Sequence, residues 1–236
     1  MTHNNRPPDP VLPLSLFPLG LFIALLPLVT IHTTYLISAS QGFVDWCIPY
    51  FQSCTSISAT GRNGLGYFVF KGVMIPTLVL LVFFWWINHR WLRVLGYPQG
   101  RYLFLLGLMA SVFMLLYTLS LGHGGDAFEL LRRIGVSGYV GLTGIAQISL
   151  GAALYRARPL WLSRRGKRLL SLSGFTLGVA ILSLILDALP GVDYGRMNHS
   201  FEWILIVLLN IHGVGVVLSW RQGGLVLDVH TAGQGR

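Results

Sequence analysis

Charge is what this chain has least of. Of its 236 residues only 11% are Asp, Glu, Lys or Arg, and just eight are acidic. A water-soluble domain of this length carries roughly a quarter charged residues, so much of this surface is not built to face water. Cysteine is almost missing as well. Two residues, Cys47 and Cys54, exclude a disulfide-dense secreted scaffold and cannot by themselves complete a zinc site. There is no internal repeat, no low-complexity tract and no separate soluble domain. An HExxH helix and a nucleophile elbow are also absent. The glycines of 135–138 and 141–144 sit in an apolar run with no strand before them, so they permit helix packing rather than cradle phosphate.

Hydrophobicity is abundant. The chain is 53% hydrophobic, with seven Trp, nine Tyr and thirteen Phe, rings that settle where lipid meets water. A bilayer core of about 30 Å needs about 20 mostly apolar residues in a helix. Six segments satisfy this, at 11–37, 65–87, 102–121, 136–155, 169–189 and 201–220. They predict an all-α integral membrane protein, one domain over 1–236, built as a six-helix transmembrane bundle. The first segment contains Pro13, Pro18 and Pro27 and is expected to tilt or kink. It is far longer than the roughly 7–15 apolar residues of a signal peptide, so it reads as a retained span. Both polar ends, 1–10 and the last fifteen residues, are expected to be mobile tails.

A net charge of +9 raises nucleic acid as a partner, but the cations stand in short loops between apolar runs. Insertion into a membrane selects that placement, which excludes a nucleic-acid role. One side would hold twelve Lys and Arg, among them Arg90, Arg93, Arg101, Arg164, Arg165, Lys167 and Arg168. The other would hold five: Arg62, Lys71, Arg132, Arg133 and Arg196. The positive-inside rule then places both termini in the cytoplasm and the loop 38–64 on the periplasmic, extracellular or lumenal side. Cys47 and Cys54 lie in that loop, on the oxidising side, and are expected to pair as a disulfide.

Ionisable residues inside a membrane helix are costly and mark function by default. Here nearly all lie in the outer half. His32 is near the outer end of the first span, and Lys71 lies about 9 Å inside the second at 1.5 Å per residue. Asp187 ends the fifth span and Glu202 opens the sixth, three residues after His199. Asp45, Arg62, His123, Asp126, Glu129, Arg132, Arg133, Asp193 and Arg196 stand above them. A polar cavity opening to the outer leaflet would explain the asymmetry. The structural alternatives are a Lys71 pair with Asp187 or Glu202, a snorkelling Lys71, and Glu202 as a helix-start anion. Gln147, Asn210 and His212 are expected to hydrogen-bond between helices. A metal site drawn from the scattered His, Asp and Glu lacks ligand spacing, so no metal or other cofactor is required. No pair of histidines suggests haem.

Two segments carry a resemblance. Cys54-Thr-Ser-Ile-Ser-Ala-Thr-Gly61 resembles the Pro-Ser-Ile-Ser-x-x-Gly loop of the FRAG/DRAM/SFK family of six-helix membrane proteins. Ser200-Phe-Glu-Trp203 resembles that family's small-x-Glu-aromatic signature. Members include a GPI-anchor lipid-remodelling protein and autophagy modulators. Thr55 replaces the family's proline, and Arg132 and Arg133 stand where a histidine normally enters the fourth helix. The resemblance implies lipid handling at the non-cytoplasmic leaflet, by acyl remodelling (a hydrolase or acyltransferase) or by lipid binding. It carries over Ser56, Ser58, Gly61, Glu202 and Trp203.

The site expected from both arguments uses Glu202, His199 and Asp187 for acid–base work. Ser56, Ser58, Arg62, Lys71, His123, Arg132 and Trp203 would hold lipid or its headgroup. The partner is a membrane lipid, with room for a membrane-protein partner. The alternatives are a non-enzymatic membrane scaffold or regulator and, less favoured, a transporter.

Overall fold

A computed structural model describes residues 11–97, 100–190 and 193–230. Within it, six helices are long and apolar enough to cross a membrane. They are α1 (Phe17–Ser40), α4 (Gly64–Val94), α5 (Gly100–Ser120), α6 (Asp126–Arg156), α7 (Leu160–Ala188) and α8 (Asn198–Gln222). The connection between α1 and α4 carries two single-turn helices, α2 (Pro49–Gln52) and α3 (Ile57–Thr60). The end of the bundle bearing this connection is termed the loop face, and the opposite end the basic face.

The spans pack in chain order around a ring, α1 against α4, then α5, α6, α7 and α8, and α8 closes back on α1. A further contact of α6 with α8 crosses the ring. Two apolar clusters fill the interior. One lies toward the basic face, around Phe84, Trp85, Leu154 and Trp220. The other lies toward the loop face, around Ile57, Phe70, Tyr117 and Trp203. Hydroxyls buried in lipid-depth helices bond backwards to their own backbone, as Thr30 does to Leu26 O, Thr118 to Met114 O and Thr176 to Leu172 O. That satisfies each polar group without water, the condition a span must meet.

Helix α1 begins at Phe17, six residues later than expected, and continues through Pro27. Val11–Ser15 instead forms strand β1, which pairs antiparallel with β2 (Val226–His230). Part of the expected C-terminal tail, 226–230, is therefore paired with residues expected to open the first span, while 1–10 and 231–236 lie outside the described residues. Pro13 is tolerated because a two-stranded ribbon has only edge strands, where a missing N–H is harmless. Helix α6 begins at Asp126, ten residues before the expected span, which shortens the loop after α5 to about one turn. Asp126 and Glu129 in its first turn favour the positive helix end.

Of the expected interhelical polar links, Gln147 holds: its Nε2 donates to Leu209 O on α8 at 2.9 Å. Asn210 instead donates to Ile206 O on its own helix, and His212 makes no hydrogen bond. A link absent from the sequence reading joins α4 to α8, where Trp220 Nε1 donates to Asn88 Oδ1 at 3.2 Å.

Close packing of α4 on α5 depends on Gly107, where an added Cβ would overlap the Trp85 ring. Gly174 on α7 faces open space. Gly107→Leu is expected to destabilise by about 1–3 kcal/mol through overpacking. Gly174→Leu should be neutral, and thermal unfolding of the two variants in detergent separates these outcomes.

Candidate functional site

The loop after α1 is not loose. Tyr35 anchors its start: the hydroxyl donates to Cys47 O at 2.7 Å and accepts from Cys47 N at 2.8 Å. The Cys47–Cys54 disulfide then closes the segment containing α2. His32 meets it from α1. Its Nδ1 bonds to Leu28 O at 2.7 Å, a bond that requires a proton on Nδ1 and leaves Nε2 to accept from Tyr50 Oη at 2.6 Å. Burial pushes the Tyr50 hydroxyl pKa up, so it remains a donor.

Helix α8 is docked on this loop residue by residue. Ser53, held in the left-handed region at φ 49°, presents Oγ to the amides of His199 (3.1 Å) and Ser200 (3.3 Å). These two first-turn N–H groups would otherwise lack partners. Ser200 Oγ donates to Pro49 O at 3.0 Å, and Trp203 Nε1 to Thr55 O at 3.0 Å. The Trp203 ring is fully buried and meets His32, Tyr35 and Tyr50 edge-on. Glu202 and Ile57 line one small cavity, so Glu202 stands beside the turn. Thus the start of α8 clasps positions 49 to 55 through Ser53, Ser200 and Trp203, so the two segments singled out in the sequence lie against each other.

The Ser-Ile-Ser turn owes its shape to the same chemistry. Ser56 caps α3, with Oγ accepting from Ala59 N at 3.1 Å, and lies 3.1 Å from Ser58 Oγ. Arg62 Nη2 donates to Ser58 Oγ at 2.8 Å. Ile57 drops into the core, and at Gly61 an added Cβ would press on the Phe70 ring at 3.0 Å.

Between this turn, α6 and the start of α8 lies a cavity of about 600 Å³. Glu202 is half-buried and lines it, together with His199, Ser56, Ser58, Arg62 and Arg132. Glu129 and Arg133 stand at the rim, paired with each other at 2.6 Å. Among the described residues that pair and Arg196–Asp193 are the only ion pairs. Arg62 and Arg132 therefore face the cavity without a carboxylate in contact. Arg132 spends one nitrogen on the carbonyls of Ser120 and His123, which fixes the guanidinium without neutralising it. Arg62 shares the lining of this cavity with His199 and Glu202. No hydrogen bond joins His199 to Glu202, although both line the same space.

Four expected site residues lie outside the cavity. Lys71 donates to Tyr67 Oη (2.9 Å) and Leu119 O (3.2 Å) and sits over the Tyr67 ring, so it pairs with neither Asp187 nor Glu202. Asp187 is exposed on α7. His123 stacks on Phe128 at the surface. Trp203 is sealed in the core with its only donor used, so it supports the loop rather than touching a headgroup. Five other residues join the lining, Tyr117, Val136, Ser137, Tyr194 and Asn198. Tyr117 presents a buried hydroxyl with no partner, and Ser137 and Asn198 contribute further polar groups. Tyr117 reads in sequence as one more aromatic in an apolar span, and nothing there marks it. Among the described residues no three His, Cys, Asp or Glu side chains gather as a metal site. Compared with known proteins, the chain matches no family model, no curated protein and no solved structure.

Proposed function

We propose that this is a lipid-handling membrane protein whose cavity receives the headgroup and ester region of a lipid from the leaflet at the loop face. The observation that carries the reading is Glu202, an acidic side chain inside a span, on the wall of a cavity that also presents two unneutralised guanidiniums. An intramembrane carboxylate is retained against its desolvation cost when it lines a polar pathway or a site. Arg62 and Arg132 suit an anionic headgroup, since guanidinium forks match phosphate oxygens in pairs. Glu202 and His199 supply the acid–base groups for acyl transfer or hydrolysis. Ser56 and Ser58 line the access route and, already bonded to one another, act through polarity rather than as nucleophiles.

Kinship with the FRAG/DRAM/SFK family belongs to this proposal. It is supported by the docking of the Ser-Ile-Ser turn on the Ser-Phe-Glu-Trp segment, which gives both short motifs one shared physical task. The loop face is proposed to be non-cytoplasmic, because the opposite end carries most of the Lys and Arg and this end carries the disulfide.

A second reading has its own observation. Ser200 and Trp203, on either side of Glu202, bond the loop at Pro49 O and Thr55 O, a clasp that is all a scaffold would need.

Arg62→Gln/Arg132→Gln tests the headgroup assignment. In nanodiscs of phosphatidylcholine with a minor share of phosphatidylglycerol, native mass spectrometry should show wild type retaining the anionic lipid. The double variant should retain at least tenfold less, about the effect of losing one charged hydrogen bond. Equal retention would remove the two arginines from any headgroup site.

A further inference from the structure

The cavity does not end at Glu202. Val136, Ser137, Tyr194, Asn198 and Glu202 also line a second space of about 370 Å³, which runs between α6, α7 and α8. That space shares Val140, Gly141, Ala180 and Leu205 with a third, of about 100 Å³, deeper along the same helices. Together they form a groove whose lining changes with depth. At the top are the guanidiniums, the carboxylate and Asn198. In the middle the walls are Val140, Ala180, Leu184 and Leu205. At the bottom are Gln147 and Ser173, both buried, each with a side-chain oxygen that has no partner.

The groove exists because small residues stand where helices would otherwise meet. Cβ atoms added at Gly141 and Gly144 would touch nothing within 4 Å. Its lips are apolar and exposed: Leu184 is 69% exposed and Ile145 52%. In a six-span protein such residues face hydrocarbon, so the groove opens sideways into the bilayer. From Val136 to Gln147 is eleven residues, or about 17 Å along a helix at 1.5 Å per residue. One leaflet of a core about 30 Å thick is about 15 Å deep. The polar floor at Gln147 and Ser173 thus lies near the depth where the tail of a lipid from the loop-face leaflet ends.

We propose that the groove holds one acyl chain of a phosphate-bearing phospholipid whose headgroup lies against Arg62 and Arg132. This rests on the lipid-handling reading and specifies its substrate class: a two-part amphiphile arriving laterally from the membrane. Its chain lies along α6 and α7, and its ester region lies beside Glu202. Charge complementarity at the mouth and leaflet-matched length set this occupant apart from a helix of another protein. A helix is about 10 Å wide with its side chains, too broad for a slot set by Gly141, Gly144 and Ala180.

The test fills the groove without touching the mouth. Gly141→Leu and Gly144→Leu place a side chain into space that is open in the structure, so neither displaces backbone. Gly174→Leu, which also meets nothing and lines none of these spaces, is the control. Binding is read by native mass spectrometry in phosphatidylcholine nanodiscs with phosphatidylglycerol as probe, and separately in detergent with glycerol phosphate, which has no chain. The expected result is that both groove variants lose phosphatidylglycerol at least tenfold. Displacing about two methylenes of the chain from the groove is enough for that. Glycerol phosphate binding and the control should match wild type. Undiminished phosphatidylglycerol binding by the groove variants overturns the acyl-chain assignment and leaves the headgroup cavity standing. Wild type that binds neither probe overturns the lipid reading and this inference with it. A phosphatidylglycerol carrying a photoreactive diazirine in one chain gives an independent reading. Crosslinks to 140–148 and 173–184 are expected, and crosslinks confined to other helices overturn the proposal.

Discussion

Glu202→Gln is expected to abolish acyl-lipid turnover while leaving the protein folded. The substitution removes the acid while keeping the side chain's shape and polarity. The clasp between α8 and the loop runs through Ser53, Ser200 and Trp203, so it persists in the variant. On the proposed function the carboxylate supplies a base on the cavity wall, which an amide cannot do. Removing a general acid or base costs typically 10²–10⁴-fold, so product formation should fall at least a hundredfold with the thermal midpoint unchanged. Glu202→Ala should lose turnover to the same extent, since both variants lack the acid. If glutamine and wild type behave alike in lipid assays, the carboxylate is not catalytic and the scaffold reading takes over. His199→Asn should resemble Glu202→Gln, since the docking of residue 199 on Ser53 uses its backbone and not its ring.

The second large effect is structural. Trp203→Ala should destabilise by about 3–5 kcal/mol. The ring has no solvent exposure and fills the space among His32, Tyr35 and Tyr50. Its indole N–H is also the partner of Thr55 O, whose loss adds the cost of an unpaired buried carbonyl. Trp203→Phe should recover most of the packing but not that bond. Trp46→Ala, in the same loop but 65% exposed, should cost little. Thermal unfolding in one detergent ranks the three. A small effect for Trp203→Ala would mean that the loop is held by the disulfide alone and that the clasp contributes little.

The spans could be read from the chain because hydrocarbon imposes one rule on every residue of a helix, and a run of about 20 apolar positions states it plainly. The extra turns of α6 were hidden for the same reason. Asp126 to Arg133 carry four charges, and hydropathy ends a span where charge begins, even though the helix continues into the interface. The β1–β2 ribbon was invisible because pairing between chain ends leaves no local period. At the site, Glu202, His199, Ser56, Ser58, Arg62 and Arg132 were legible as polar residues near one membrane face, and they share one cavity. Lys71 and Asp187 were grouped with them because both lie in the outer half of their spans. Depth along a helix does not say which way a side chain points, and theirs point to Tyr67 and to the surface. Trp203 was identified by a motif whose physical task is packing. Tyr117 and the groove beyond Glu202 depend on which helices are neighbours around the ring, and that information is tertiary.

The most direct test of the central claim, that Glu202 works on a lipid in this cavity, is lipid mass spectrometry of the purified protein in nanodiscs of defined phospholipids. Wild type and Glu202→Gln would be sampled before and after incubation. The account expects lyso-lipid or a transferred acyl chain to appear with wild type and not with Glu202→Gln, while both retain bound phospholipid. Unchanged lipid in both samples would contradict a catalytic Glu202 and leave a lipid-binding scaffold.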